Sequence, residues 1–270
     1  MWRRGSKRWC AVSAVGILLL LSLFITYRAG WRFGEGFSLA APGSVSMHEV
    51  PPETKVYVDN KRRAETAEGQ RDLTFTNISA GAHLLLASRE GYWPWFKELS
   101  VSPGEQTRVS MFAVPQNPSG VIIKEADPSY RQIRALIQNA RVPSADAPLL
   151  SADASVAIFT DGGTAIHARW RGEEGALPSF FCDDASCTER AVVFEGASGV
   201  NALSFYPGRS DVLLFSGESG IYAIEIDRRG TQNFQPVYLG PAPTFVPKED
   251  AALALYVDDQ GSILELSLAP

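Results

Sequence analysis

Three cysteines and three histidines are all that 270 residues offer of the side chains that most readily hold transition metals. His48, His83 and His167 stand alone in sequence, and no Cys-x-x-Cys pair occurs. A zinc knuckle or a thioredoxin-like redox pair therefore lacks the spacing it needs, and neither a metal nor a cofactor is expected. The basic excess that tracks a nucleic-acid backbone is missing too: 25 Lys and Arg face 30 Asp and Glu, with no basic stripe along the body of the chain. Enzyme signatures also fail. Gly217-Glu218-Ser219-Gly220 misses the G-x-S-x-G nucleophile elbow by one position. Asp161-Gly162-Gly163 and Asp258-Asp259-Gln260-Gly261 read as hairpin turns, without the spaced carboxylates of a calcium loop. Glu173-Glu174 sits in a glycine-flanked loop, and Asn77-Ile78-Ser79 fits a glycosylation sequon.

What is present begins with one uncharged stretch, Cys10 to Tyr27. As a helix rising about 1.5 Å per residue it would span about 27 Å, close to the roughly 30 Å hydrocarbon layer of a bilayer. Arg3, Arg4, Lys7 and Arg8 precede it, so the positive-inside rule keeps residues 1–9 cytoplasmic and sends the rest outward. Trp9, Tyr27 and Trp31 suit the aromatic belts at the two interfaces. The alternative is a cleaved signal peptide with Ser38-Leu39-Ala40 as its small-residue site. That site lies well past the apolar run, which also exceeds the about 7–15 residues usual in such leaders. The expected location is the plasma membrane, single-pass, with the later domains extracytoplasmic.

After a spacer, residues 28–44, short runs of period two appear between turn residues: Lys55 to Asp59, Asp72 to Thr76, Phe96 to Val101 and Thr107 to Met111, with Ala82 to Ala87 as a more buried strand. Pro51-Pro52, Ser79-Ala80-Gly81, Glu90-Gly91 and Ser102-Pro103-Gly104 punctuate them. The pattern predicts a small antiparallel β-domain of about five to seven strands over 45–114.

These residues resemble the PEGA domain of prokaryotic surface proteins. The likeness lies in Pro51-Pro52-Glu53-Thr54-Lys55-Val56-Tyr57-Val58-Asp59-Asn60, then Ala80-Gly81-Ala82-His83-Leu84-Leu85-Leu86, then Glu90-Gly91-Tyr92-Trp93-Pro94-Trp95-Phe96, with Leu99-Ser100-Val101 and the Pro103-Gly104 turn after them. Of that motif's four letters only Pro52 and Glu53 stand, and the polar stretch Asn60 to Gly69 replaces the usual Gly and Thr-Pro turn. The resemblance implies a small β-sandwich serving as an extracytoplasmic spacer or binding module without chemistry of its own. Tyr92, Trp93 and Trp95 are its candidate ligand contacts, since flat rings with a polar edge stack on sugars; the other reading makes them caps of a small core.

Residues 115–148 read as a linker holding a short amphipathic helix, with Tyr130, Ile133, Leu136 and Ile137 at helical spacing and Asp127-Pro128-Ser129 as its start. From 149 to 270 a loose repeat of about forty-odd residues recurs, as propeller blades show. One unit is Leu203–Pro207, Val212–Ser216, Gly220–Ile226 and Pro236–Leu239. Another holds Val156–Phe159, Ala165–Trp170, Phe180–Cys182 and Ala191–Phe194, and a partial unit has Leu253–Val257 and Ile263–Leu266. Propellers close with about four to eight blades, so this partial β-propeller-like meander would be open or complete itself as a homo-oligomer.

Cys182 and Cys187 flank Asp183-Asp184-Ala185-Ser186, and in an exported compartment a disulfide across that turn competes with free thiols. Two functions remain: a non-catalytic, membrane-anchored envelope protein that binds cell-wall polymer or a partner protein, and an exported hydrolase or lyase using scattered acids such as Asp153, Asp161 and Asp211. The second requires two of these groups in one concave pocket.

Overall fold

The computed structural model describes residues 4–28, 30–33, 39–162, 164–173, 175–183, 186–196, 199–248 and 253–269, with side chains from 14 onward except at 32, 33 and 39. Ser38, Gly163, Glu174, Asp184 and Ala185, each part of a motif discussed above, lie outside the described residues. The chain is mainly β. Among the described residues its strands close neither a barrel nor a propeller.

Helix α1 runs Arg4–Arg28. Its Leu-rich interior favours helix, and Gly30 stops it at φ +89°, where the Trp31 N–H donates to Thr26 O and the Gly30 N–H to Tyr27 O. That bond pair is a Schellman cap, which needs a residue tolerant of the left-handed conformation. Leu18 to Leu21 cover every side of the helix, and all are more than half exposed. Among the described residues no helix is long and apolar enough to cross a membrane. The span expected over 10–27 is therefore not met by the described part, which begins its side chains at Ala14.

A two-stranded ribbon, β1 (Arg32–Phe33) and β2 (Leu39–Ala40), leads into seven strands. These are β3 (Gly43–His48), β4 (Lys55–Val58), β5 (Lys61–Glu65), β6 (Leu73–Ile78), β7 (Gly81–Ser88), β8 (Trp95–Val101) and β9 (Gln106–Ser110). They form two sheets, ordered β6-β3-β9 and β5-β4-β7-β8, with Val45, Met47, Phe75 and Val109 of the first buried in one apolar cluster with Val56, Val58, Leu85 and Leu99 of the second. Two details differ from the sequence reading. β3 and β9 pair in parallel, so the domain is not wholly antiparallel. The stretch after Asn60 is the strand β5, returned by a two-residue turn in which Asp59 and Asn60 both have positive φ, a hairpin geometry that Asn and Asp tolerate.

Strand β10 (Gly120–Ile123) and helix α2 (Tyr130–Asn139) follow. α2 buries Tyr130, Ile133 and Ile137 but leaves Leu136 41% exposed, so its core stripe is narrower than expected. Three four-stranded antiparallel sheets come next. The first is β11 (Leu149–Leu150), β12 (Val156–Asp161), β13 (Ala165–Trp170) and β14 (Arg190–Glu195). The second is β15 (Ala202–Phe205), β16 (Val212–Gly217), β17 (Gly220–Glu225) and β18 (Phe234–Leu239). The third joins β19 (Thr244–Pro247), β20 (Ala254–Asp259) and β21 (Ser262–Ser267) to the distant β10, which pairs with β21. Residues 115–148 thus do more than link: they supply the strand that completes the last sheet. Phe180–Cys182, expected as a strand, instead overlaps a turn of 3-10 helix, Ser179–Phe181, and the Cys182–Cys187 disulfide closes the loop after it.

The sheets stack through their apolar faces. Val156, Ile158, Ile166 and Val193 of the first meet Leu203, Leu213, Phe215 and Ile224 of the second. A second cluster runs unbroken from the sandwich core at Val45 and Trp95 through Leu214, Ile221 and Val237 to Phe245 and Leu255. α2 covers the far side, where Ile133 and Ile137 pack with Ile123 and Ile263.

Candidate functional site

Strand β8 is the outermost strand of its sheet and reads Trp95-Phe96-Lys97-Glu98-Leu99-Ser100-Val101, alternating buried and exposed from its first residue. The strict period two puts Lys97 on the apolar side with Trp95, Leu99 and Val101. A lone cation there would be costly. The second sheet removes that cost: Lys97 is fully buried, and its Nζ donates to Glu225 Oε1 at 2.7 Å, Asp227 O at 2.9 Å and Thr231 O at 3.2 Å. Asp227 in turn accepts from Arg229, at 2.6 Å from its Nη2. Burial raises the Glu225 carboxyl above its ordinary range, while the Lys97 charge and hydrogen bonds from Lys97 and Asn233 pull it down; the upward effect wins.

The open edge of β8 is closed by side chains. Asn233 accepts from the Phe96 N–H through Oδ1 at 3.0 Å and donates to Phe96 O through Nδ2 at 2.9 Å, imitating the next strand of a ladder. Gln235 donates to Pro94 O. An edge that would otherwise invite another chain is thereby occupied within the molecule. These bonds and the shared apolar cluster join the sandwich to the second sheet.

The aromatic run sits beside this junction. Trp95 is fully buried, while Tyr92 and Trp93 are half-buried. Tyr92 lies under the Arg89 guanidinium, 4.6 Å from its ring centre, and donates through its hydroxyl to Ala269 O, so it ties down the end of the chain. Trp93 packs against the shared cluster. The structure brings all three to the module's junction with the later sheets, where Trp95 offers no face to a ligand. Phe96, 44% exposed, is the ring of this run that faces out.

Next to the junction is a cleft of about 280 Å³ between Pro51, Pro52 and Phe112 of the sandwich and Tyr206, Arg209 and Leu268 beyond it. Its polar groups are already engaged. Tyr206 donates to Ala113 O, and burial raises its hydroxyl pKa strongly. Arg209 is paired with Asp211 at 2.8 Å and donates to Met111 O, and Arg71 is paired with Glu49.

The acids proposed for hydrolysis do not converge. Asp153 accepts from Ser151 and Ser155, which lower its pKa, and so stabilises the turn before β12. Asp161 ends β12 beside His167, whose hydrogen bond lowers its pKa. Asp211 faces Arg209. Asp211, Glu225 and Asp227 do line one recess with Arg108 and Arg229, but it holds only about 50 Å³, and Lys97, Arg209 and Arg229 neutralise its carboxylates. Among the described residues no group of three or more His, Cys, Asp or Glu is placed to hold a metal ion. Lys97, Glu225 and Asn233 were not singled out in the sequence; the one legible signal was a lysine on the apolar phase of β8.

No family model matches the chain, and no curated protein matches it. Among solved structures it is similar to one from Bacteroides fragilis whose protein is described only as membrane-associated and of unknown function, at 10% identity and a TM-score of 0.22, over 84% of this chain and 94% of that one. A likeness that distant carries no argument about fold or function.

Proposed function

We propose that this chain is a single-pass, membrane-anchored, non-catalytic envelope protein whose PEGA-like module and stacked sheets act as one rigid extracytoplasmic platform for a cell-wall polymer or a partner protein. The observation that carries this reading is the exposure of the apolar helix surface: from Val15 to Ile25 the large apolar side chains are each more than half exposed. Such a surface is stable where hydrocarbon surrounds it. The basic residues before it orient the helix with its start in the cytoplasm. The helix end supports the same reading, because Gly30 seats against the β-module: a Cβ there would lie 2.9 Å from Asn77 O and from Pro42. The module is held directly against the end of the anchor.

The test is extraction of membranes from cells expressing the full chain. Retention in the pellet after alkaline carbonate, and release by detergent, is the expected result. Release by carbonate or salt would sink the anchor.

A further inference from the structure

The outward face of the first sheet carries an arrangement that the anchor and the junction do not use. Arg169 and Arg190 are directly opposite each other in the β13–β14 register. Like charges so placed repel, and strands normally avoid the pairing unless something offsets it. Here both guanidiniums lean over one ring: their Cζ atoms lie 5.7 and 5.2 Å from the centre of Phe159. Phe159 is itself buried and stacks on His167, its cross-strand partner, at 5.3 Å. Among the described residues neither arginine has a carboxylate within ion-pair reach, whereas Arg62, Arg71, Arg89, Arg209 and Arg229 each have one. Arg131, Arg141 and Arg171 also lack an ion pair among the described residues, but Arg169 and Arg190 lack one while facing each other over a single ring.

A second observation points the same way. His167 is 5% exposed; its Nε2 is paired with Asp161 Oδ2, 2.8 Å away, while its Nδ1 has no hydrogen-bond partner. Buried imidazole nitrogens usually have partners, and an empty one beside two unpaired cations marks a place for an acceptor. Asp161 and Glu195 flank Ala165, two residues along β13 from His167.

We infer that Arg169, Arg190 and His167 form an oxyanion-binding site on the aromatic floor of Phe159, suited to a phosphoryl group. A guanidinium presents two parallel N–H donors to an oxyanion, so two present four. A tetrahedral phosphate sets its terminal oxygens, three in a monoester and two in a diester, at a wider angle than the two close, coplanar oxygens of a carboxylate, and so can accept from two guanidiniums that converge above the ring. The phosphoryl group comes either from a free phosphorylated small molecule or from a phosphodiester polymer of the envelope. The site stands apart from the anchor reading and survives its failure.

The test is calorimetric titration of the full chain in non-ionic detergent with inorganic phosphate and, in parallel, with a glycerol-phosphate polymer. Changing both arginines to glutamine should lower affinity at least tenfold. The Arg169→Lys/Arg190→Lys protein, which keeps charge but loses the fork, should fall between. Arg71→Gln, at a paired arginine elsewhere, should bind as the parent does. Unchanged melting temperatures show that the variants fold. Saturable binding of phosphate itself assigns free phosphorylated molecules; arginine-dependent binding of the polymer alone assigns the polymer. No binding of either probe at millimolar concentration, or a glutamine double variant that binds like the parent, overturns the site.

Discussion

Replacing Lys97 by alanine is the sharpest perturbation of the junction. The change removes three donors at once and leaves Glu225, 3% exposed, with its charge uncompensated by Lys97. Removing one partner of a buried ion pair costs about 3–5 kcal/mol, far more than the pair contributes over an apolar substitute. For a folded unit of this size each kcal/mol lowers the melting temperature by about 2–4 °C, so Lys97→Ala should melt roughly 6–20 °C lower. Lys97→Met combined with Glu225→Gln removes both charges while Gln keeps a partner in Asn233, and should recover most of the loss. The pH dependence follows from the carboxylate. Without Lys97, burial is opposed only by Asn233, so the folded-state pKa of Glu225 rises further above its unfolded value. A carboxylate with a raised folded pKa is penalised as pH climbs through that value, so the deficit of Lys97→Ala is greatest at neutral pH and shrinks toward the ordinary carboxylate range. Thermal melts of parent, single and double variants at several pH values measure all of this. A shift below about 2 °C at pH 7, or a deficit that grows on acidification, would refute the reasoning.

Three further outcomes are expected. Asn233→Ala should cost about 2 kcal/mol in chemical denaturation, since the Phe96 amide and carbonyl lose the side chain that completes their edge. Gly30→Ala forces a Cβ against the Asn77 carbonyl at a positive φ; amide exchange around residues 26–31 and 77–78 should quicken, with the later sheets unaffected. Asp59 titrates below the ordinary carboxylate range: burial works upward but is outweighed by hydrogen bonds from His83 and the Leu84 N–H. Its contribution is present above the unfolded pKa and lost as pH falls through the lowered folded value, so the melting difference between the parent and Asp59→Asn should vanish in acid.

The period-two runs made most strands legible, and the Tyr130, Ile133 and Ile137 spacing located α2, because those features are local. Partners far apart in sequence were not legible. β10 finds β21 across more than a hundred residues, and its four residues carry no mark of that pairing. The parallel β3–β9 pair and the Asn233 clamp likewise exist only once the sheets are stacked. The aromatic run was visible, but which of its rings face inward depends on where the second sheet docks. Arg169 and Arg190 are 21 positions apart, and only the β13–β14 register makes them neighbours.

The central claim is that the β-structure lies outside the membrane on a single anchor. Protease added to intact spheroplasts carrying the full chain with a C-terminal epitope tests it most directly. Loss of the epitope, with a cytoplasmic marker untouched, is the predicted result. An epitope that survives until the membrane is permeabilised would contradict it.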